Sequence, residues 1–291
     1  MWFIWALLSS VTFGMSGFLM KASSVRKGSV IYTLWGLYLT GTLGFLIWTL
    51  KVGEWRWDGP VLLGGLVVGL GSAAGNWLFM LALEKGPASL TSPLVNTNIL
   101  LIILFSVLVY GERLSVFEWA GVLLLILAVF LIPIDPDENL AVKNKKWVLL
   151  VIAATLFFTF RNGGLKVTDE RGLAGEAVLF YGYLFSWIWM TVAAWRRRSR
   201  LTNPSGSSDC TPQGMRRGLF WGLAAGIFSF VGMQLYAVAL IEGPASIVAP
   251  LFATNSLVVA LLSILFFRER LSRVQKLSLL FLFLGLVLTR I

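Results

Sequence analysis

Gly86-Pro-Ala-Ser-Leu-Thr-Ser-Pro-Leu-Val-Asn-Thr-Asn98 returns 157 residues later as Gly243-Pro-Ala-Ser-Ile-Val-Ala-Pro-Leu-Phe-Ala-Thr-Asn255. The alignment runs without a gap from residues 65–132 to 222–289, with 28 identities in 68 positions. Leucine runs alone could supply some of these matches. They cannot put Gly-Pro, a second Pro, Thr-Asn, and then Glu112-Arg-Leu-Ser115 against Glu269-Arg-Leu-Ser272, into one register. The chain is therefore an internal duplication, and its fold is the fold of one repeat used twice.

The duplicated material is lipid-soluble. The 291 residues are 57% hydrophobic and 13% charged, about half the charge of a soluble domain, and the mean hydropathy is +0.82. Crossing a bilayer core takes about 20 apolar residues. Ten charge-free runs are present: 1–20, 29–50, 59–83, 86–111, 119–134, 147–160, 177–195, 218–241, 243–267 and 277–289. The fifth, sixth and tenth are short and need basic residues at their ends to extend them; Arg273 and Lys276 serve the tenth. The runs are continuously apolar, which excludes alternating barrel strands and leaves helices, whose backbone groups satisfy one another in lipid. The first run has no basic segment before it and reads as a retained span.

Each repeat holds five spans. Five is odd, so the second repeat enters the membrane from the opposite side. The expected fold is all-α and integral to the membrane: ten transmembrane helices as two inverted five-helix repeats, residues 1–134 and 147–291, joined by a polar loop at 135–146. Residues 196–217 form a second long loop that reads as a flexible linker around Cys210. Inverted repeats are the architecture of many secondary transporters, with the substrate site near the midplane.

Whole classes of chemistry are excluded. With no His there is no imidazole base, and one Cys makes neither a disulfide nor a zinc site. No Gly-Lys-Ser/Thr phosphate loop appears, so ATP does not drive the protein. Every Asp and Glu falls in a loop or near a span end, which weighs against a membrane enzyme and against proton-coupled efflux of organic cations. No catalytic residue, metal or cofactor is expected. The net charge of +10 belongs to membrane topology rather than to nucleic acid.

The doubled Gly-Pro-Ala-x-x-x-x-Pro segment, followed by Glu-Arg-Leu-Ser before a Leu-rich helix, resembles the EamA repeat of the drug/metabolite transporter superfamily, over nearly the whole chain. Phe13-Gly-Met-Ser-Gly-Phe-Leu-Met-Lys21 is similar to the end of that family's first helix, without the Trp often found before the first Gly. The resemblance implies ten helices, alternating access and transport of small organic metabolites.

Candidate site residues follow from polarity and symmetry. Pro93 and Pro250 sit seven residues into their spans and read as hinges or kinks. Asn98 and Asn255 are repeat-equivalent; they either pair as interhelical glue or face substrate. Unmatched polar residues suit selectivity: Asn76 against Met233, Asn96 against Ala253, Gln234 against Trp77, and Asn162. Gly65, Gly69, Ser72 and Gly75 recur as Gly222, Gly226, Ser229 and Gly232, a small-residue stripe for close packing, with Phe79 and Tyr236 one turn beyond as cavity walls. Arg161 is the deepest charge. It is either a snorkelling residue or an attractor of carboxylates. Lys21 and Lys166 are equivalent and mark the ends of the first and sixth helices.

Loops after odd-numbered spans hold 17 of the 24 basic residues, which puts those loops in the cytoplasm and both termini outside. The family resemblance implies the reverse. The functional expectation is a secondary transporter of a small polar metabolite, such as an amino acid or other carboxylate, with coupling to a proton or counter-substrate possible, in a bacterial inner membrane. A lipid-linked carrier flippase is the alternative, ahead of an enzyme or scaffold. Oligomeric state is not legible.

Overall fold

A computed structural model describes residues 2–53, 55–110, 114–131, 145–198, 211–242, 252 and 254–288. Among them the regular structure is helical throughout: α1 (Trp2–Val25), α2 (Val30–Val52), α3 (Gly59–Lys85), α4 (Ala88–Asn96), α5 (Asn98–Tyr110), α6 (Val116–Leu131), α7 (Lys145–Glu170), α8 (Gly175–Arg198), α9 (Pro212–Glu242), α10 (Asn255–Phe267) and α11 (Arg273–Leu288). Among the described residues, seven stretches are long and apolar enough to cross a membrane; α4 and α5 together make one of them. Two further apolar helices, Val116–Ala128 and Asn255–Phe267, are shorter.

One expectation about span length changes. The sixth run is not short: α7 continues through Arg161 and Lys166 to Glu170. A charge ends an apolar run but not a helix, because its backbone bonds go on being satisfied. Lys166 accordingly lies inside α7 and faces Glu170 at 4.0 Å. Of the ninth run, α10 lies among the described residues, and the candidate hinge Pro250 lies outside them.

The duplication extends beyond the alignable region. α1 ends at Val25 and α7 at Glu170, and α2 begins at Val30 and α8 at Gly175, a common offset of 145. The ends match bond for bond. Gly28 N–H donates to Ser23 O at 2.8 Å, and Leu173 N–H to Thr168 O at 3.0 Å. Lys27 and Gly172 take the left-handed conformation that this helix stop requires, with φ of 55° and 65°. The offset changes from 145 to 157 across the loop between α8 and α9, which is longer than its counterpart between α2 and α3.

The chain divides into two compact units, and each draws on both repeats: Met1–Phe18, Lys85–Thr155 and Val231–Ile291 form one, Leu19–Glu84 and Leu156–Phe230 the other. In the first, α6 packs on α11 with matched partners. Ser278 Oγ donates to Ala128 O at 2.8 Å, while Gly285, the equivalent of Ala128, lies on the carbonyl of Gly121, the equivalent of Ser278. Capping boxes open both helices, Ser115 with Glu118 and Ser272 with Gln275. The outer faces stay apolar: Leu108 and its equivalent Leu265 are 74% and 72% exposed, as expected of side chains solvated by lipid.

In the second unit the small-residue stripe packs reciprocally. Gly65 and Gly69 of α3 lie on Tyr181 and Gly182 of α8, while Gly222 and Gly226 of α9 lie on Thr33, Leu37 and Thr40 of α2. The connecting segments are also exchanged. Ser29 N–H, after α1, donates to Gly214 O in the first turn of α9 at 2.9 Å. Tyr181 Oη in α8 donates to Arg56 O, between α2 and α3, at 3.1 Å.

Candidate functional site

Ser72 and Ser229, equivalent positions of the stripe, do more than pack. Each is buried and shares a hydrogen bond with a buried tyrosine of the preceding long helix of its repeat. The Tyr38 and Ser72 hydroxyls lie 3.1 Å apart, and those of Tyr183 and Ser229 lie 2.7 Å apart. Tyr38 and Tyr183 are themselves equivalent at the 145 offset, and their rings meet edge to face at 5.7 Å. Phe45 packs on Tyr183 and on Phe230. Gly41 gives the Tyr183 ring its place, because a Cβ there would run into it. The second unit thus holds a two-fold pattern of hydroxyls inside an apolar shell, each with the partner that a buried hydroxyl needs.

Asn76 breaks the symmetry. Its Nδ2 donates to Tyr38 Oη at 2.7 Å, and its equivalent, Met233, has nothing to donate. Asn76 is half-buried, so it carries the hydroxyl network toward accessible space. Arg161 is close enough to Tyr38 to act on it electrostatically. Its backbone N lies against Gly71, and its guanidinium carbon is 5.8 Å from the centre of the Phe158 ring. Phe158 meets the buried Phe79 edge to face at 6.4 Å. Of the residues singled out by sequence, Asn76, Phe79 and Arg161 come together here, with the half-buried Asn162 next to Arg161 on α7.

The others belong to the first unit. Pro93 is buried within α4, and the helix runs through it; the break comes four residues later at Thr97, where ψ falls to −3°. Thr254 repeats this geometry, with ψ of −2°, just before α10. Asn98 Nδ2 donates to Val95 O at 3.0 Å and Asn255 Nδ2 to Phe252 O at 2.7 Å, so each amide satisfies a carbonyl exposed by its own break. Asn96 is the half-buried last residue of α4. Tyr236 packs its ring on Phe252 at 4.3 Å, and Gln234 is half-buried two residues before it.

Two further polar contacts fix helix ends. Lys21 is buried, and its ammonium donates to Leu83 O at 2.7 Å, near the negative end of α3, rather than simply marking the end of α1. Glu269 accepts the N–H groups of Ala88 and Ser89, both at 2.9 Å, through its two oxygens. The second repeat's Glu-Arg-Leu-Ser thereby caps the first repeat's Gly-Pro-Ala-Ser. Glu269→Ala leaves two buried donors unmade, at about 1–3 kcal/mol each. A fall of several degrees in apparent melting temperature is expected by fluorescence, against little change for Glu118→Ala, whose capping box is exposed.

The tyrosine pair was missed by sequence reading. Aromatic residues are common in spans, and only the 145 offset already shown by Lys21 and Lys166 would have matched Tyr38 with Tyr183.

Three comparisons bear on identity. A solved crystal structure superposes with a TM-score of 0.58, covering 97% of each chain at 17% identity, a likeness of fold alone. A Sinorhizobium protein named as an uncharacterized transporter is 29% identical over 141 residues, 44% of this chain and 97% of its own length. The family model of the EamA-like transporters matches residues 1–134 and 145–291, both repeats in turn. The chain therefore belongs to the EamA-like transporter family and is a multi-pass membrane transporter.

Proposed function

We propose that this protein is a secondary transporter that moves a small polar metabolite bearing a carboxylate, by alternating access between two inverted five-span repeats. The observation that carries the reading is the matched pair of tyrosine–serine hydrogen bonds with Asn76 and Arg161 added on one side only. Matched groups suit a chamber that opens in turn to each face, because each repeat contributes the same scaffold. Unmatched groups suit recognition of a substrate that has no symmetry of its own. Arg161 has Ser16 as its counterpart at the 145 offset, so the charge is not part of the duplicated framework.

The exchanged contacts support opposite orientations of the repeats. The connection after α1, the first span of repeat one, meets the first turn of α9, the end of repeat two's third span that faces its second. The connection between the second and third spans of repeat one in turn meets α8, which follows the first span of repeat two. Parallel repeats would put equivalent connections together instead.

In this reading a guanidinium in a low-dielectric setting draws the carboxylate, and the Asn76 amide and tyrosine hydroxyls satisfy the remaining polar atoms. Energy comes from a gradient of the substrate, of protons or of a counter-substrate. A thermal-shift screen against metabolites followed by flux into sealed liposomes tests this. Ligands that bind the folded form raise its apparent stability, and those ligands are expected to show saturable counterflow. Stabilising carboxylates that never cross the membrane would contradict the reading.

A further inference from the structure

A pocket of about 390 Å³ lies where the end of α1 meets the start of α9, lined by Arg26, Gln213, Arg216, Arg217, Phe220 and Trp221. It shares no residue with the tyrosine network. Three arginines line it, and among the described residues no carboxylate forms an ion pair with any of them. Arg217 donates to Arg26 O at 3.3 Å, and the Arg26 guanidinium stacks over Trp221 at 5.0 Å, so two of the three are held in place. Arg216 is exposed and makes no hydrogen bond or ion pair with the described residues. Like charges gathered without a counter-ion repel one another and are stabilised by an anion. Guanidinium groups match the oxygens of a phosphate in pairs.

The surroundings narrow the source of that phosphate. The charge-free run of α9 begins at Gly218, so Arg216 and Arg217 stand at its polar boundary while Phe220 and Trp221 enter the apolar stretch. Aromatic residues at that boundary sit at headgroup depth. The loops meeting here, after the first and seventh spans, belong to the basic side of the chain, and clustered arginines at a membrane boundary attract anionic headgroups.

We infer that this pocket is a phosphate-binding site at the membrane boundary, suited to the headgroup of an anionic phospholipid, that ties the end of α1 to the start of α9. Native mass spectrometry of the detergent-solubilised protein with phosphatidylglycerol tests the lipid source. Thermal shift with inorganic phosphate tests a free anion. The exposed Arg216 side chain makes no hydrogen bond or ion pair among the described residues, and the elution profile of Arg216→Gln reports that the variant folds; Arg171→Gln, an exposed basic residue elsewhere, controls for general charge. Retention of phosphatidylglycerol is expected to fall about tenfold in Arg216→Gln, the loss of one charge-assisted hydrogen bond, and further in Arg216→Gln/Arg217→Gln. Arg171→Gln is expected to retain lipid like the unmodified protein. An Arg216-dependent shift with inorganic phosphate and no lipid retention would assign the site to a free phosphate. Equal behaviour of the unmodified protein and both pocket variants toward both ligands would overturn the inference, as would an equal loss in Arg171→Gln.

Discussion

Gly226→Val is expected to abolish recovery of monodisperse protein, or to lower its melting temperature further than Glu269→Ala does. A Cβ at residue 226 would collide with the Leu37 carbonyl and the Thr40 hydroxyl of α2. A backbone carbonyl in a packed helix cannot step aside. The Thr40 hydroxyl in turn donates to Leu223 O at 3.1 Å, a bond between α2 and α9 that the intruding side chain would break. Overpacking of this kind costs about 1–3 kcal/mol, and more where backbone is struck. Lipid tails give α2 and α9 no hydrophobic drive to associate, so close backbone packing supplies much of their attraction. Gly163→Ala is the control, because open space surrounds Gly163 and alanine favours helix. Equal yields and melting temperatures for the two variants would show that the stripe is not a packing surface.

Arg161→Gln is expected to raise the apparent KM for carboxylate substrates about ten- to a hundredfold, with little change in yield. That range is one charged hydrogen bond, about 1.5–3 kcal/mol, converted to affinity. Arg161→Lys keeps the charge but loses the planar fork, so its KM is expected to fall between the two. Arg161 meets Gly71 through its backbone, a contact that Arg161→Gln keeps. Counterflow assays on reconstituted protein read the difference. Unchanged KM for every carboxylate would remove Arg161 from the substrate path.

The duplication around Gly86 and Gly243 was legible because Gly-Pro and Glu-Arg-Leu-Ser are improbable in lipid-soluble helices and survive only where they fix helix starts. Glu269 shows the reason: it caps α4. The duplication of α1 and α2 was nearly illegible. Lipid accepts any apolar side chain, so equivalence there persists in helix ends and buried hydroxyls rather than in identities. The length of α7 was misread because Arg161 and Lys166 interrupt its apolar run without interrupting its backbone bonds. Asn98 and Asn255 were rightly recognised as equivalent. Their observed bonds go to carbonyls three residues back, since a helix that stops at Thr97 or before α10 leaves acceptors that a local amide reaches first.

The opposite orientation of the repeats is tested most directly by labelling single cysteines with an impermeant maleimide, in a Cys210→Ser background, from each side of the membrane. Lys27→Cys and Gln213→Cys are predicted to react from one face only, and Trp57→Cys and Arg171→Cys only from the other. Reaction of Lys27→Cys and Gln213→Cys from opposite faces, or of all four from the same face, would contradict the account.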